Sequence, residues 1–130
     1  MKRWIILAAA CLMLTACTAQ KAAVYEIVVV PKQWSEELDR QIKDHVAERD
    51  ELNVYQNMAH EADALYQKLL LQDLMAQGVD AVCLEPVDED TAAPMVEELE
   101  QAGIVVVTGE DLLSAIDRAA QLLEQEKTVD

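Results

Sequence analysis

Strand-like and helix-like segments alternate four times along this chain, and this alternation constrains the fold more than any other feature of the sequence. The first strand-like segment, residues 24–30, contains the unbroken apolar run IVVV at residues 27–30. Such a run is typical of a strand that is buried on both faces, as in a parallel sheet covered by helices on each side. We therefore expect a sheet that forms the middle layer of the molecule.

The boundaries of the other segments follow from apolar periodicity and from helix start and stop signals. The pattern predicts strands at residues 24–30, 52–56, 79–84 and 104–108. Helices are predicted at residues 36–50, from about 61 to 77, from about 91 to 102, and from 112 up to a polar tail that frays from 124. Ser35 and Asp111 are candidate N-caps, Pro94 falls in the first turn of the third helix, and Gly78 and Gly103 each end a helix directly before a strand. Four such βα units with short loops imply an α/β fold, namely a three-layer Rossmann-like parallel four-stranded sheet with right-handed crossovers.

The N-terminal residues have the organisation of an export signal. A basic start at residues 1–3 precedes an apolar stretch at 5–14, which is too short to span a bilayer as a stable helix. The sequence Leu-Thr-Ala-Cys at 14–17 resembles the lipobox of bacterial lipoproteins, which implies removal of residues 1–16 and a diacylglycerol anchor with palmitate-type chains on Cys17. The alternative is an ordinary cleavage site that happens to contain a cysteine. We predict a signal peptide at 1–16, a lipidated tether at 17–23 and one domain at 24–127, and the six residues 18–23 reach about 20 Å when extended.

Charge and cysteine content exclude several classes of function. Ten basic and 25 acidic residues give a net charge of −15, and removal of Lys2 and Arg3 leaves eight basic against 25 acidic residues, or −17. Nucleic acid is therefore not an expected partner, because phosphates are bound by Lys and Arg. Of the three cysteines, Cys11 leaves with the signal and Cys17 carries lipid, so Cys83 has no partner for a disulfide within the chain and is expected in the core.

In a sheet of this kind, ligands bind outside the carboxyl ends of the strands, near the point where the strand order reverses. That rule selects the loops at residues 31–35, 57–61, 85–90 and 109–111. We predict ligand contacts from Trp34, which can stack on a flat or sugar-like molecule, from Lys32, which can meet a carboxylate, and from their neighbour Gln33. The alternative is that Trp34 packs on the sheet edge and Lys32 is solvated.

The acidic residues of these loops have two interpretations. The candidate ligand contacts among them are Asp88, Glu110 and Asp111, which favour a cation or a hydroxyl-rich ligand, but acids at such positions also cap helices. His60 with Glu61 and Asp63 is a weak cluster, and a surface histidine is the better interpretation, so no metal site is predicted. The first strand is not followed by a glycine-rich phosphate cradle, and no catalytic pattern is present. We therefore predict neither a cofactor nor an enzyme.

The stretch from residue 25 to 109 resembles the N-terminal lobe of periplasmic sugar-binding proteins of the ribose-binding type. The matching pieces are IVVVPK at 27–32, DLMAQGVDAV at 73–82, EPVD at 85–88 and AGIVVVT at 102–108. The resemblance implies a solute-binding component of an ABC importer, or a related sensor, in which two lobes close on a small molecule. The 130 residues lack the second lobe and its hinge, and Trp34 is the only aromatic residue in the segment after the first strand. The sequence TGED at 108–111 has two possible alignments with these proteins. It corresponds either to their segment after the fourth strand or to a later Gly-x-Asp sequence and the helix that follows it.

Taken together, these features predict an extracytoplasmic lipoprotein held at the outer face of the cytoplasmic membrane or in the periplasm. It is expected to bind a small polar solute, such as a sugar, for ABC transport or sensing, and to be incomplete without a second lobe or a partner. The alternative is an interaction module that has lost ligand binding and contacts a permease or a sensor ectodomain.

Overall fold

Four parallel strands form the central sheet of the computed structural model, which describes residues 24–109 and 111–129. The strands are β1 (Tyr25–Val30), β2 (Leu52–Gln56), β3 (Ala81–Leu84) and β4 (Val105–Val107), in the spatial order β2-β1-β3-β4. All three strand pairs are parallel, with Ile27 opposite both Val54 and Ala81. The predicted parallel α/β fold is confirmed, although β3 and β4 are shorter than expected.

Helices cover both faces of the sheet, as the apolar strands require. The helices are α1 (Glu36–His45), α2 (Ala64–Gln77), α3 (Glu89–Gln101) and α4 (Leu112–Val129). Val28 and Val30 pack into a core with α2 and α3, whereas Ile27 and Val29 pack into a second core with α1 and α4. Cys83 is buried in the second core, where it was expected as a small apolar side chain.

The chain order places the switch point of the sheet between β1 and β3. From β1 the chain moves through α1 to β2 on one side, and then returns through α2 to β3 on the other side of β1. The carboxyl ends of β1 and β3 therefore flank the crevice in which parallel α/β sheets bind their ligands.

The first two helices begin at polar caps. The Ser35 hydroxyl accepts a hydrogen bond of 3.1 Å from the Leu38 N–H, which confirms the predicted N-cap of α1. α1 ends at His45 and not near Asp50, because consecutive turn bonds, from the Arg49 N–H to the Val46 carbonyl and from the Leu52 N–H to the Arg49 carbonyl, lead the chain into β2. α2 begins three residues later than expected, because the Asp63 carboxylate caps it.

The last two helices are longer than predicted. The Asp88 carboxylate caps α3, which therefore begins at Glu89, and this places Pro94 in the second turn and not in the first. The proline ring cannot donate the usual hydrogen bond to the carbonyl of Asp90, and both residues lie on the exposed side of the helix. α4 continues to Val129, so the expectation that the tail frays from residue 124 is wrong.

Gly78 ends α2 in the left-handed conformation, with φ of 72°, and its N–H donates to the carbonyls of Leu74 and Met75. A Cβ at this position would meet no atom within 4 Å, so a side chain is opposed only by the backbone conformation. We expect Gly78→Ala to lower the free energy of unfolding by about 1 to 2 kcal/mol, the usual cost of the left-handed conformation for a residue with a Cβ. Gly78→Asn should lose less, because asparagine tolerates this conformation. Urea unfolding of both variants checks the difference, and equal losses would contradict the backbone explanation.

No helix in the described part of the chain is long and apolar enough to cross a membrane. The predicted signal peptide, the lipidation residue Cys17 and the tether all lie outside the described residues.

Candidate functional site

A depression of about 660 Å³ opens at the carboxyl ends of β3 and β4. Its polar lining includes Lys32 from the loop after β1, Glu85 and Glu89 from the segment after β3, and Thr108 from the end of β4. Val87 and Val96 lie among its apolar lining residues. One cation, two carboxylates and a hydroxyl beside apolar side chains suit a neutral ligand with several hydroxyl groups, because such a ligand both donates and accepts hydrogen bonds.

Gln67 of α2 joins the two loops that flank the switch point. Its side chain is only 2% exposed. Its amide nitrogen donates to the carbonyls of Pro31, at 3.3 Å, and Glu85, at 3.0 Å. Its amide oxygen accepts a 3.0 Å hydrogen bond from the Val87 N–H. One buried side chain therefore holds the loop after β1 and the loop after β3 at fixed positions beside the depression.

A second buried amide holds the loop after β1 from its other side. The Gln56 amide oxygen accepts a hydrogen bond from the Ser35 N–H, and the Gln56 amide nitrogen donates to the Ser35 carbonyl, both at 2.9 Å. The Lys32 N–H donates to the Glu85 carboxylate at 3.1 Å. The backbone that presents Lys32 is therefore fixed at several points, so the wall of the depression is largely preformed.

The six residues predicted to contact a ligand do not all meet at one place. Lys32 lines the depression, and Gln33 is an exposed neighbour in the same loop. Trp34 is half-buried and lies toward β2. Its backbone N–H donates to the Ala59 carbonyl, and its ring meets the His60 ring edge-on, with the ring centroids 4.9 Å apart. Trp34 also packs against the core shared with α2 and α3.

Two acidic members of the predicted set, Asp88 and Asp111, lie at helix starts. Asp88 accepts hydrogen bonds from the N–H of Thr91, at 2.9 Å, and from its hydroxyl, at 2.6 Å. Asp111 is bound in the same way by the N–H and the hydroxyl of Ser114. Glu110, the sixth residue, lies outside the described residues. Both described aspartates therefore cap helices on the side of the sheet where the strands end. That they also contact a ligand stays a prediction.

Hydrogen bonds from the side chain and backbone of Thr91 lower the pKa of Asp88, and those from Ser114 lower the pKa of Asp111. A carboxylate whose pKa is lowered by folding stabilises the folded protein at pH values above 3.8, the ordinary pKa of an aspartate. This contribution is lost as the pH falls through 3.8 and then through the lower pKa of the folded state. We expect Asp88→Asn, which caps without titrating, to make the loss of thermal stability in acid shallower. The same holds for Asp111→Asn, and Glu97→Gln in the middle of α3 is the matched control. Parallel pH profiles of melting temperature for Asp88→Asn and the parent protein would contradict this prediction.

The two histidines have different surroundings, and neither lies in a metal-binding group. Among residues 24–109 and 111–129, no three His, Cys, Asp or Glu side chains are placed to hold a metal ion together. His60 contacts the Trp34 ring. The His45 Nε2 lies 2.9 Å from a carboxylate oxygen of Asp117, which links the end of α1 to α4.

The loops around the depression were predicted from the sequence, but most of the polar residues that line it were not. Glu85 and Thr108 directly follow β3 and β4, and Glu89 begins α3. Their positions near strand ends could have indicated a role in the site. Acidic residues and threonines are common in such loops, so this signal is weak. The buried amides of Gln56 and Gln67 carried no sequence signal, because glutamine in a strand or helix is usually exposed.

A second depression, of about 460 Å³, lies at the opposite edge of the sheet, where the strands begin. Tyr25, Asp80 and Lys127 contribute to its lining. The Asp80 carboxylate accepts a 2.7 Å hydrogen bond from the Glu26 N–H, and the Asp80 N–H donates to the Glu26 carbonyl. We call this edge the amino edge and the edge with the larger depression the carboxyl edge.

Comparison with known proteins gives one family and a set of similar structures. Residues 27–125 match the family model described as the periplasmic binding protein domain. No curated protein matches the chain. The solved structures include an ABC transporter solute-binding protein from Burkholderia graminis in complex with D-arabinose, with a TM-score of 0.59 and 19% identity over 74% of this chain and 34% of that one.

Two further structures are similar to the same degree. A periplasmic solute-binding protein from Actinobacillus succinogenes with bound D-allose has a TM-score of 0.58 and 22% identity, covering 74% of this chain and 36% of that chain. A solute-binding protein from Bacillus halodurans with bound myo-inositol has a TM-score of 0.58 and 20% identity, covering 70% and 32%. At these identities the similarity shows the fold. The chain spans about a third of the length of these proteins.

Proposed function

Because the chain belongs to the periplasmic binding protein domain family, we propose that its carboxyl edge binds a small, hydroxyl-rich solute for ABC transport or sensing. The observation that carries the proposal is the depression at the carboxyl ends of β3 and β4, whose lining combines apolar side chains with Lys32, Glu85, Glu89 and Thr108. The similar structures with bound D-arabinose, D-allose and myo-inositol support a sugar or a cyclic polyol as the class of ligand.

The described residues supply one wall of such a site. Effective pockets bury about 70 to 90% of a ligand, whereas a single open face covers much less. We therefore propose that this lobe binds a free solute weakly, and that a second lobe or a partner protein supplies the opposite wall. The similar structures are about twice as long as this chain, which is consistent with a second wall in those proteins.

We also propose that the domain works outside the cytoplasm, attached to the outer face of the cytoplasmic membrane by lipid on Cys17. The basic start, the apolar stretch and the Leu-Thr-Ala-Cys sequence support an exported lipoprotein. Two or three acyl chains hold a protein stably on a bilayer, because each buried CH₂ contributes about 0.8 kcal/mol. Metabolic labelling with a fatty acid tests this part, since Cys17→Ser should abolish the label.

NMR titration tests solute binding, because it detects weak complexes. The ¹⁵N-labelled chain from residue 17 onward, carrying Cys17→Ser, is titrated with D-arabinose, D-allose, myo-inositol, a nucleoside and an amino acid. We expect a sugar or polyol to shift the amide signals of Lys32, Thr108 and Gly109 and to leave those of the amino edge unchanged. Lys32→Ala should weaken binding about tenfold, the equivalent of 1.4 kcal/mol. Lys127→Ala, which removes an exposed lysine at the amino edge, is the matched control.

Trp34→Ala tests, in the same titration, the predicted stacking of Trp34 on the ligand. If Trp34 stacks on the ligand, its removal abolishes the shifts, and thermal unfolding of the variant shows whether the fold survives the loss of a half-buried ring. Shifts that survive in Trp34→Ala would assign Trp34 to packing alone. Silence across the whole panel, with the parent protein folded, would contradict solute binding by this lobe.

One observation favours the alternative of a protein-interaction module. Three large apolar side chains on the first half of α2 are exposed, namely Leu65 at 64%, Leu69 at 55% and Tyr66 at 43%. This half of the helix begins at the carboxyl edge, beside the loop after β2. Contiguous exposed apolar side chains often mark protein contacts. If the ligand panel is silent, a permease or sensor ectodomain that crosslinks to the parent protein but not to Leu65→Ser/Leu69→Ser would support this alternative.

A further inference from the structure

The outer side of α2 is apolar, although it faces water in the described part of the chain. The residues of α2 that are buried in the core are Gln67, Leu70, Leu71 and Leu74. On the opposite side, Leu65 is 64% exposed and Leu69 is 55% exposed. A surface helix normally carries polar residues on its outer side, whereas a helix that is apolar all round is usually covered all round. The sequence of α2 therefore indicates a second cover in addition to the core.

The exposed side of α2 has the residue spacing of a coiled-coil seam. Its exposed residues at intervals of four, three and four positions are Leu65, Leu69, Gln72 and Ala76. Alternating intervals of three and four keep one narrow stripe turned toward a partner helix, as the a and d positions of a coiled coil do. We call these four residues the seam, and its spacing suits one further helix.

Two charged residues flank the seam on opposite sides. At about 100° per residue along a helix, Lys68 lies on one flank and Asp73 on the other. Lys68 makes no ion pair or hydrogen bond with any of the described residues. One carboxylate oxygen of Asp73 accepts a 2.8 Å hydrogen bond from Gln77, which leaves the other oxygen available. The seam therefore has an unpaired cation on one flank and an acid with remaining binding capacity on the other.

We propose that α2 pairs in parallel with α2 of a second copy of this chain, around a two-fold axis that runs along the two seams. Leu65 and Leu69 then meet their equivalents, and Gln72 can hydrogen bond to the same side chain of the other copy. Lys68 of one copy faces Asp73 of the other, because in parallel coiled coils a g residue pairs with the e residue five positions later on the partner helix. The two-fold symmetry forms this ion pair twice.

The flanking charges favour the parallel arrangement over the antiparallel one. In an antiparallel pair that joins the leucines, each flank meets the same flank of the other copy. Lys68 then lies near its own equivalent, and like charges at close range repel each other. The charges of α2 are thus complementary to α2 itself in one direction only, which is the reason for naming a second copy as the partner.

The size of the exposed surface indicates a weak dimer. Leu65, Tyr66 and Leu69 together expose roughly 300 Å² per copy, less than half of the surface, about 800 Å² per partner, that a standard interface buries. We therefore expect a Kd of about 0.1 to 1 mM. At micromolar concentration the chain is then almost entirely monomeric.

Parallel pairing leaves both ligand depressions open. α2 follows β2 at the carboxyl edge and ends before β3 at the amino edge, so the carboxyl edges of the two copies lie at the same end of the dimer. No residue of α2 lines the depression of about 660 Å³. The second copy is therefore not the second wall of the site. The inference goes beyond the proposed solute binding by naming what covers α2, and it does not depend on that binding.

Small-angle X-ray scattering from micromolar to millimolar concentration tests the pairing, on the same Cys17→Ser chain as the NMR titration. We expect the apparent mass to rise toward that of two copies. Leu65→Ser/Leu69→Ser should raise the Kd about tenfold or more. Gln41→Ser/Gln121→Ser, at exposed positions on the helices of the other face, is the matched control, and thermal unfolding shows that each variant is folded.

Charge reversal tests the direction of pairing. Lys68→Asp and Asp73→Lys should each raise the Kd about fivefold, because two symmetric contacts change at once, and Lys68→Asp/Asp73→Lys should restore it. Asp73→Lys is the sharper variant, because the chain has a net charge of −15. General repulsion between acidic molecules would make this variant associate more strongly, whereas the proposed ion pair makes it associate more weakly.

Disulfide formation gives a second readout of direction. Gln72→Cys should form a disulfide-linked dimer under mild oxidation, because equivalent seam positions of a parallel pair lie within disulfide range. Gln41→Cys is the matched exposed control, and buried Cys83 is the background in the parent chain. A mass of one copy up to millimolar concentration overturns the proposal. Association that survives Leu65→Ser/Leu69→Ser, or that strengthens in Asp73→Lys, overturns it as well, whereas none of these results alters the test of solute binding.

Discussion

Gln67→Ala is expected to lower the free energy of unfolding by about 3 kcal/mol, because it removes three hydrogen bonds worth about 1 kcal/mol each. The substitution leaves the carbonyls of Pro31 and Glu85 and the N–H of Val87 without their side-chain partner, in surroundings that are buried at Pro31 and part-buried at the other two. Unpaired buried groups carry their desolvation penalty, so the loss is larger than that of a surface glutamine. Urea unfolding of the parent and the variant measures the effect.

Two further variants separate the hydrogen bonds from the volume of the side chain. Gln67→Met keeps most of the volume but forms none of the strong hydrogen bonds, so it should lose nearly as much stability as Gln67→Ala. Gln72→Ala, an exposed position on the same helix, should change stability by less than about 0.5 kcal/mol. Full stability in Gln67→Met would show that Gln67 acts by packing, which contradicts the proposed role.

The same variant links stability to the ligand face. Hydrogen exchange of the Val87 amide reports the hydrogen bond to Gln67, and this amide should exchange faster in Gln67→Ala while amides in the middle of β1 change only with global stability. Solute binding should weaken as well, because the loops after β1 and β3 would no longer be held in place before the ligand arrives. Gln67 is thus a positioning residue for the proposed site.

The layered fold could be predicted from the sequence because each signal was local and strong. The run at residues 27–30 contains only β-branched apolar side chains, and all four are completely buried between helix layers. Ser35 and Asp111 cap the helices that follow them, and Gly78 ends α2 directly before the next strand segment. The spatial order β2-β1-β3-β4 was not predicted, because right-handed crossovers leave more than one arrangement open for four βα units.

Element boundaries were less predictable where tertiary contacts decide them. The sequence from Val46 to Asp50 contains no strong helix breaker, yet turn bonds that lead into β2 end α1 at His45. The Asp88 cap determined the start of α3, so Pro94, which suits a first turn, lies in the second. Local propensity is a weak guide in such places, because a cap or a turn bond outweighs it.

The candidate site was also predictable only in part. Lys32 was predicted from its place in the loop after β1, and it lines the depression. Trp34, two residues later, lies toward β2 beside His60, and its contact with a ligand stays a prediction. Which way a loop side chain points depends on bonds such as those between Gln56 and Ser35, which join residues distant in sequence.

Leu74→Ala is expected to have the other large effect, a loss of about 2 to 5 kcal/mol in the free energy of unfolding. The leucines of α2 are spread around the helix, so periodicity alone does not select its buried face. Leu70 and Leu74 pack in the core, but Leu65 and Leu69 are exposed. Leu74 is completely buried in the core that α2 shares with α3 and the strands, and its truncation removes apolar contacts and leaves a cavity that a close-packed interior fills only in part.

Leu69→Ala provides the matched control, because it is the same substitution on the same helix at a side chain that is 55% exposed. It should lower stability by less than about 1 kcal/mol, since little apolar surface leaves water at this position on folding. Equal losses for the two variants would mean that Leu69 is covered in solution. The exposed face of α2 would then already be occupied, by a second copy of the chain if the losses depend on protein concentration.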